Sequence, residues 1–233
     1  MRNFGSIVTH GEPTDDFSHF NEAIIAIGGN FNLENWGSLK TEGFSSEGML
    51  GVGDSGQIHN FGSVNTSGDF SQGTIIVGNN GQIRNSGLIS TSGDFAQGMA
   101  VFGDGGQITN FGSITTSGFL ADGMSAIGDH NYVANFGTIT IHDPVTSGMS
   151  GFGSHDELVN FGTITGNGFM VSGDPFDSFD DTVTNRGTIS KDGDEPAMTA
   201  YGSDALAQNF GTIDCFRIAL KRFPVILKHS LHA

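Results

Sequence analysis

The sequence predicts an all-β fold: a β-helix, or β-solenoid, of about eight 25-residue coils with three short strands per coil. Three observations predict it. An asparagine followed two residues later by a glycine recurs along the chain, each period contains three short apolar segments bounded by turn residues, and no stretch shows a long 3.6-residue helical pattern. The recurring asparagines are spaced by 25 residues, or 24 at the last step: Asn35, Asn60, Asn85, Asn110, Asn135, Asn160, Asn185 and Asn209.

The apolar segments fall at fixed offsets from each asparagine, as the coil around Asn110 illustrates. Ile108 precedes it by two residues and Ile114 follows it by four, while Met124 and Ile127 lie further along the same coil. Side chains alternate between the two faces of a strand, so one set of each alternation points into the solenoid. The pattern therefore predicts ladders of like aliphatic residues, stacked about 4.8 Å apart, that fill the interior.

The Asn-x-Gly step predicts a sharp corner between two strands. Asparagine and glycine tolerate positive φ angles at low cost, and stacked asparagine amides can hydrogen-bond to one another along the solenoid. The residue between them is usually aromatic, as at Phe111 and, in one coil, Trp36. We expect these rings to stack from coil to coil; the alternative is a strip that binds carbohydrate.

One continuous solenoid domain is predicted over residues 1–214, because a stack of coils has no natural size limit. The first coil is longer than the others, which predicts a protruding loop at residues 12–22 or an N-terminal cap. The coil that begins at Asn160 keeps its length but loses the third-strand pattern, which residues 173–181 replace, so that Asp174 stands where other coils have methionine. Residues 215–233 are a basic tail, either a cap or unrelated sequence.

Charge and composition exclude several functional classes. The chain has 9 Lys and Arg against 25 Asp and Glu, a formal net charge of −16, so binding to nucleic acid is disfavoured. The sequence contains no run of about 18 apolar residues, so it predicts no membrane-spanning helix, and the N-terminus has no signal-peptide pattern. The single Cys215 excludes an intramolecular disulfide.

The best metal-binding candidate is a calcium site formed by Asp174, Asp177, Asp180 and Asp181. Calcium takes six to eight oxygen ligands, and closely spaced carboxylates on a turn can supply several of them. The spacing matches neither an EF-hand nor a nonapeptide calcium repeat, so a solvated acidic loop is the alternative. The histidines form no zinc-binding pattern, and no other cofactor is expected.

A second candidate surface is an outward row of hydroxyl side chains on the strand after each corner. It comprises Ser113, Thr115, Thr138, Thr140, Thr163 and Thr165. A flat array of Thr-x-Thr pairs is similar to the ice-binding face of β-solenoid antifreeze proteins. Outward threonine is also simply a good strand residue, which is the alternative interpretation.

The repeat Ile108-Thr109-Asn110-Phe111-Gly112-Ser113-Ile114, with Gly123-Met124 and Gly128-Asp129 after it, resembles those of bacterial autotransporter passenger domains and haemagglutinin-like adhesins. The resemblance covers about residues 3–214. It implies a right-handed β-helix that is secreted or displayed at the bacterial cell surface. A non-enzymatic adhesin or scaffold would have a host-surface or matrix glycan or protein as its partner, and its coils could associate end to end.

Two family features, an export signal and a C-terminal translocator barrel, are not found in this sequence, so we expect a passenger fragment or a shortened relative. The alternatives to an adhesin are an ice-binding solenoid and, less favoured, a polysaccharide lyase or hydrolase. Such an enzyme needs a Lys or Arg base or a close pair of carboxylates. The Asp174–Asp181 cluster could hold such a pair.

Overall fold

A computed structural model describes residues 1–10, 21–166, 168–173, 178–191 and 196–215. These residues form three parallel β-sheets of nine, nine and eight strands. Successive strands of the chain pass from one sheet to the next, and every third strand returns to the same sheet beside its predecessor. The all-β solenoid with three strands per coil that the periodicity predicts is confirmed, and no helix occurs among the described residues.

The three sheets are named here by their order in each coil. The first sheet ends every strand with an asparagine: Arg2–Asn3, Asn32–Asn35, Gln57–Asn60, Gln82–Asn85, Gln107–Asn110, Tyr132–Asn135, Glu157–Asn160, Thr182–Asn185 and Leu206–Asn209. The second sheet follows the corner: Ser6–His10, Ser38–Glu42, Ser63–Thr66, Leu88–Thr91, Ser113–Thr116, Thr138–Ile141, Thr163–Gly166, Thr188–Lys191 and Thr212–Cys215. The third sheet completes the coil: Ile24–Ile27, Met49–Val52, Thr74–Val77, Met99–Phe102, Met124–Ile127, Met149–Phe152, Met170–Ser172 and Met198–Ala200.

Strand pairing places like residues directly above one another. Ile108 pairs with Ile83 and Val133 in the first sheet, and Ile114 pairs with Ile89 in the second. These aliphatic side chains are 0–2% exposed. Each such side chain contributes roughly 1.5–3 kcal/mol through burial before the entropic cost of ordering is subtracted. Stacked aliphatic side chains therefore fill the interior of the solenoid, as the sequence predicts.

The corner between the first and second sheets has the predicted asparagine ladder. Asn110 is fully buried, its Nδ2 donates to Asn135 Oδ1 at 2.9 Å, and its Oδ1 accepts from Asn85 Nδ2 at 2.8 Å. Gly112 N also donates to Asn110 Oδ1 at 3.1 Å. A buried amide that makes all of these bonds avoids the cost of an unsatisfied polar group. The ladder therefore fixes the register of consecutive coils.

The coil that begins at Asn160 differs from the sequence-based expectation. Its third strand is present at Met170–Ser172, and Met170 pairs with Met149 below it and Met198 above it. The link from the second sheet is shortened, and extra residues come after the strand. The alignment by chain position that put Asp174 in the methionine row is wrong, because a deletion and an insertion within one coil cancel in length.

Several predicted features lie outside the described residues. Most of the protruding loop at residues 12–22 does, and so does the basic tail from residue 216 onward. In the part of the chain that the structure describes, no helix could cross a membrane.

Candidate functional site

The hydroxyl row lies on the outer side of the second sheet. Thr138 is exposed, and the other five members, Ser113, Thr115, Thr140, Thr163 and Thr165, are partly exposed. Consecutive strands hold them in register, and the Oγ1 atoms of Thr140 and Thr165 are 3.2 Å apart. The structure thus brings the predicted residues together on one face. Towards the N-terminus the row is interrupted by Lys40, Asn65 and Leu88.

An aromatic ladder follows the same corner on the outside. The rings of Phe111, Phe136 and Phe161 are 43–44% exposed and stack nearly parallel, with centroids 4.9 and 4.7 Å apart. Trp36 stacks on Phe61 at 4.0 Å. Because each ring covers the face of its neighbour, the ladder presents mainly ring edges to solvent. This agrees with the interpretation that the aromatic residues stack as a packing device, and it leaves little free ring face for a sugar.

The predicted calcium cluster is only partly described, because Asp174 and Asp177 lie outside the described residues. The structure places the other two acids in different environments. Asp180 is exposed, and its carboxylate lies 3.5 Å from His155 Nε2. Asp181 is fully buried. In the described ranges, no group of three or more His, Cys, Asp or Glu residues could hold a metal ion.

Asp181 belongs instead to a buried acidic pair. Asp156 lies one coil below it, is 1% exposed, and donates its backbone N–H to Asp181 Oδ1 at 2.9 Å. Burial raises the pKa of Asp156 to about 7, and it also raises the pKa of Asp181. Sequence reasoning missed this pair, because the same offset holds glycines and Asn131 in earlier coils, and such residues are typical of exposed turns.

A second set of buried polar groups lies over the outer face of the third sheet. Gln72 Nε2 donates to Gln97 Oε1 at 2.9 Å, and at the same offset in the next coil Asp122 accepts from Ser147 N and Ser150 Oγ at 2.9 and 2.6 Å. Burial raises the pKa of Asp122 to about 6. At the same offset, burial raises the pKa of Glu47 to about 7. Sequence reasoning did not anticipate this row.

The five basic side chains of the described ranges already have partners. Arg2 pairs with Glu34 at 2.9 Å and Lys40 pairs with Glu42 at 2.5 Å. The other three lie over aromatic rings: Arg84 over Phe111, Arg186 over Phe210 and Lys191 over Phe169, at 4.4, 4.8 and 5.5 Å from the ring centroids.

The chain matches a known family model over most of its length. The family model described as "BigA third pectate lyase-like domain" matches residues 1–215. No curated protein and no solved structure matches the chain.

Proposed function

The chain belongs to the family of BigA third pectate lyase-like domains, and we propose that it is a non-enzymatic β-solenoid segment of a secreted or surface-displayed bacterial protein. In this role, of the adhesin or autotransporter-passenger type, the coils form a stiff rod. The rod presents its outer faces to a host-surface or matrix glycan or protein. The resemblance of its repeat to passenger domains supports the same role.

The main observation behind the proposal is that the basic side chains already contact other groups of the protein. A lyase reaction on an acidic polysaccharide needs a base near the substrate's acidic carbon and cations that hold its carboxylates. In the described part of the chain, every Lys and Arg contacts a carboxylate or an aromatic ring. A chain with a net charge of −16 also repels an anionic polymer.

The outer surface supports a binding role because its groups repeat coil after coil. The ladder that includes Phe111, Phe136 and Phe161 runs beside the hydroxyl row, so one corner displays parallel aromatic and polar lines. Aromatic residues are favoured at protein interfaces, and repeated weak contacts along a rod add up through multivalency.

Two experiments test the proposal with the full chain. Beads coated with the protein should adhere to epithelial cells or to immobilised matrix proteins, and the double variant Phe136→Ala/Phe161→Ala should adhere less. Thr188→Ala, on the same sheet one coil beyond Thr163, leaves every ring in place and is the control. Incubation with polygalacturonate and calcium should release no unsaturated product. Product release, or no adhesion above that of uncoated beads, would contradict the proposal.

The hydroxyl row supports a second candidate function, the binding of ice. Thr138 pairs with Thr163 and Thr140 with Thr165, so two coils present identical Thr-x-Thr pairs in register on the outer side. A regular array of hydroxyl and methyl groups is what this role requires. Thermal hysteresis of the purified chain distinguishes it from the adhesin role.

A further inference from the structure

The interior of the solenoid contains a group of buried polar atoms at the coil whose third strand is displaced. Asp156 and Asp181 occupy the same position in consecutive coils and are 1% and 0% exposed. One oxygen of each carboxylate is used by the backbone: Asp156 Oδ1 accepts from Asn131 N at 2.8 Å, and Asp181 Oδ1 accepts from Asp156 N at 2.9 Å. These bonds fix the direction of both carboxylates.

The second oxygen of each carboxylate has no hydrogen-bond partner among the described residues. Asp156 Oδ2, Asp181 Oδ2 and the hydroxyl of the fully buried Ser172 share this property. A Cβ atom built on Gly151 would lie 3.1 Å from both Asp156 Oδ2 and Ser172 Oγ. Leu158 Cδ1 lies 2.9 Å from the same position, so both oxygens approach Gly151 closely at a point where a side chain would be crowded.

The remaining oxygens lie close to a neighbouring glycine, Gly173. A Cβ atom built on Gly173 would be crowded by Asp181 Oδ2 and would lie 2.5 Å from Tyr201 O and 3.0 Å from Ser178 Oγ. Gly173 N donates to Gly151 O at 3.0 Å, so the two glycines are on adjacent coils. Two carboxylates, two hydroxyls and one carbonyl thus surround a pair of adjoining glycines.

The chemistry of these atoms favours a cation. Two buried carboxylates repel each other, and placing them out of water is costly unless charge or hydrogen bonds compensate. Asp181 repels Asp156, and the other charges that act on the two carboxylates are those of His155, Asp129 and Asp180, with no Lys or Arg among them. All five surrounding donors are oxygens, which suit hard divalent cations, and calcium accepts irregular sets of carboxylate, hydroxyl and carbonyl ligands better than magnesium.

We propose that Asp156, Asp181 and Ser172 form an internal calcium site, which the Tyr201 carbonyl and the Ser178 hydroxyl complete. The site differs from the acidic loop that the sequence suggested, because it shares only Asp181 with that cluster. Its ligands come from successive coils, so a bound ion links the coils on either side of the displaced third strand. Calcium therefore stabilises the C-terminal half of the rod by binding the folded state alone.

The full chain, freed of metal with a chelator, tests the site. Elemental analysis after dialysis against calcium should find one ion per chain, and calorimetry should give a saturable binding curve. Calcium should raise the thermal midpoint relative to chelator. Asp156→Asn and Asp181→Asn should weaken calcium affinity by at least about tenfold, since even outer-shell changes cost about 10–100-fold at metal sites. Ser172→Ala should weaken it less.

Asp180→Asn is the matched control, because it removes the adjacent but exposed acid and should keep stoichiometry and affinity. Circular dichroism checks that each variant still folds, and the asparagine variants keep the size of the side chain. Identical melting curves with calcium and with chelator, together with no bound ion, would overturn the proposal. Loss of binding in Asp180→Asn with full binding in Asp181→Asn would also overturn it, in favour of an exposed acidic loop.

Discussion

Asn110 and Asn135 are joined inside the solenoid by a hydrogen bond of 2.9 Å from the Nδ2 of the first to the Oδ1 of the second. The same bond connects each corner asparagine to the next, from Asn3 to Asn209, at 2.8–2.9 Å. A chain of amides in which each one both donates and accepts polarises along its length. The ladder thus fixes the register of consecutive coils and not their length, because the same bond spans 32 residues from Asn3 to Asn35 and 24 residues from Asn185 to Asn209.

Replacing Asn110 with alanine should destabilise the fold by about 1–3 kcal/mol or more, because Asn85 Nδ2 and Asn135 Oδ1 would each lose a partner in a buried environment. Urea unfolding followed by circular dichroism measures the change. Ser113→Ala, a partly exposed residue three positions away, is the control and should lie within about 0.5 kcal/mol of wild type. Equal effects of the two variants would show that the ladder contributes nothing beyond side-chain volume.

Replacing Gly112 with alanine should be more damaging than the same change at Gly5. The two glycines hold the same position after their asparagines, but a Cβ on Gly112 would collide with the carbonyl oxygen of Gly87 in the coil below. Gly5 belongs to the first coil, and its Cβ would meet nothing closer than Asn3 Oδ1 at 3.9 Å. We expect a loss of about 3 kcal/mol or more for Gly112→Ala, as for severe overpacking, and little change for Gly5→Ala. Similar melting temperatures for the two variants would contradict the close stacking of coils.

Stability should increase as the pH falls from 8 to 5, against the usual trend. Burial raises the pKa of Glu47 to about 7 and that of Asp122 to about 6 in the folded chain. Between the unfolded and folded pKa values the folded state keeps protons that the unfolded state loses, so stability decreases as pH rises through this window. The thermal midpoint should shift by about 2–4 °C for each kcal/mol of change in the free energy of unfolding.

The variant Asp122→Asn tests the origin of that slope. It should raise the midpoint at pH 8 and flatten the profile between about pH 4 and 6, because a neutral amide replaces a buried carboxylate and keeps the acceptor for Ser147 N. The exposed Glu157→Gln is the control. A midpoint that falls steadily from pH 8 to pH 5 in wild type would show that these acids are solvated.

The ice-binding alternative predicts thermal hysteresis that depends on two residues. If the hydroxyl row binds ice, then Thr138→Lys or Thr163→Lys should abolish the hysteresis, because a long charged side chain interrupts the flat array. Asn65→Lys, on the same sheet where the row is already broken, is the control. No hysteresis in the unmodified chain would exclude this function.

The sequence predicts the regular part of the fold well, because each coil repeats the same corner, interior and aromatic positions. The asparagine ladder, the aliphatic interior and the aromatic stack all follow from fixed offsets, and Asn110, Ile114 and Phe111 lie where the period places them. The displaced third strand is different. Met170 pairs with Met149 although 21 residues separate them, and a deletion that is balanced by an insertion leaves no trace in the total length.

The sequence also did not predict that Asp156 and Asp181 are buried. Asp156 follows a turn at an offset where Asn131 and several glycines stand, and such residues are typical of exposed corners. Whether that offset faces inward depends on how tightly the turn before the first sheet closes, which is a property of three-dimensional packing. The structure shows that the position is internal, because glycines at this offset are crowded: a Cβ on Gly106 would lie 2.6 Å from Val101 and 2.8 Å from Asn131.

The single tryptophan gives a direct test of whether the aromatic ladder binds sugars. Trp36 stacks on Phe61 at 4.0 Å and faces Phe4 at 6.3 Å, and its Nε1 donates to Glu34 Oε2 at 3.0 Å. Because one indole face is covered and the other is approached by a ring, neutral and acidic oligosaccharides should leave its emission unchanged. A saturable shift in emission, lost in Phe61→Ala but kept in Phe161→Ala, which belongs to the separate stack beyond Ser86, would instead assign the Trp36–Phe61 stack a carbohydrate-binding role. The adhesin partner would then be a glycan.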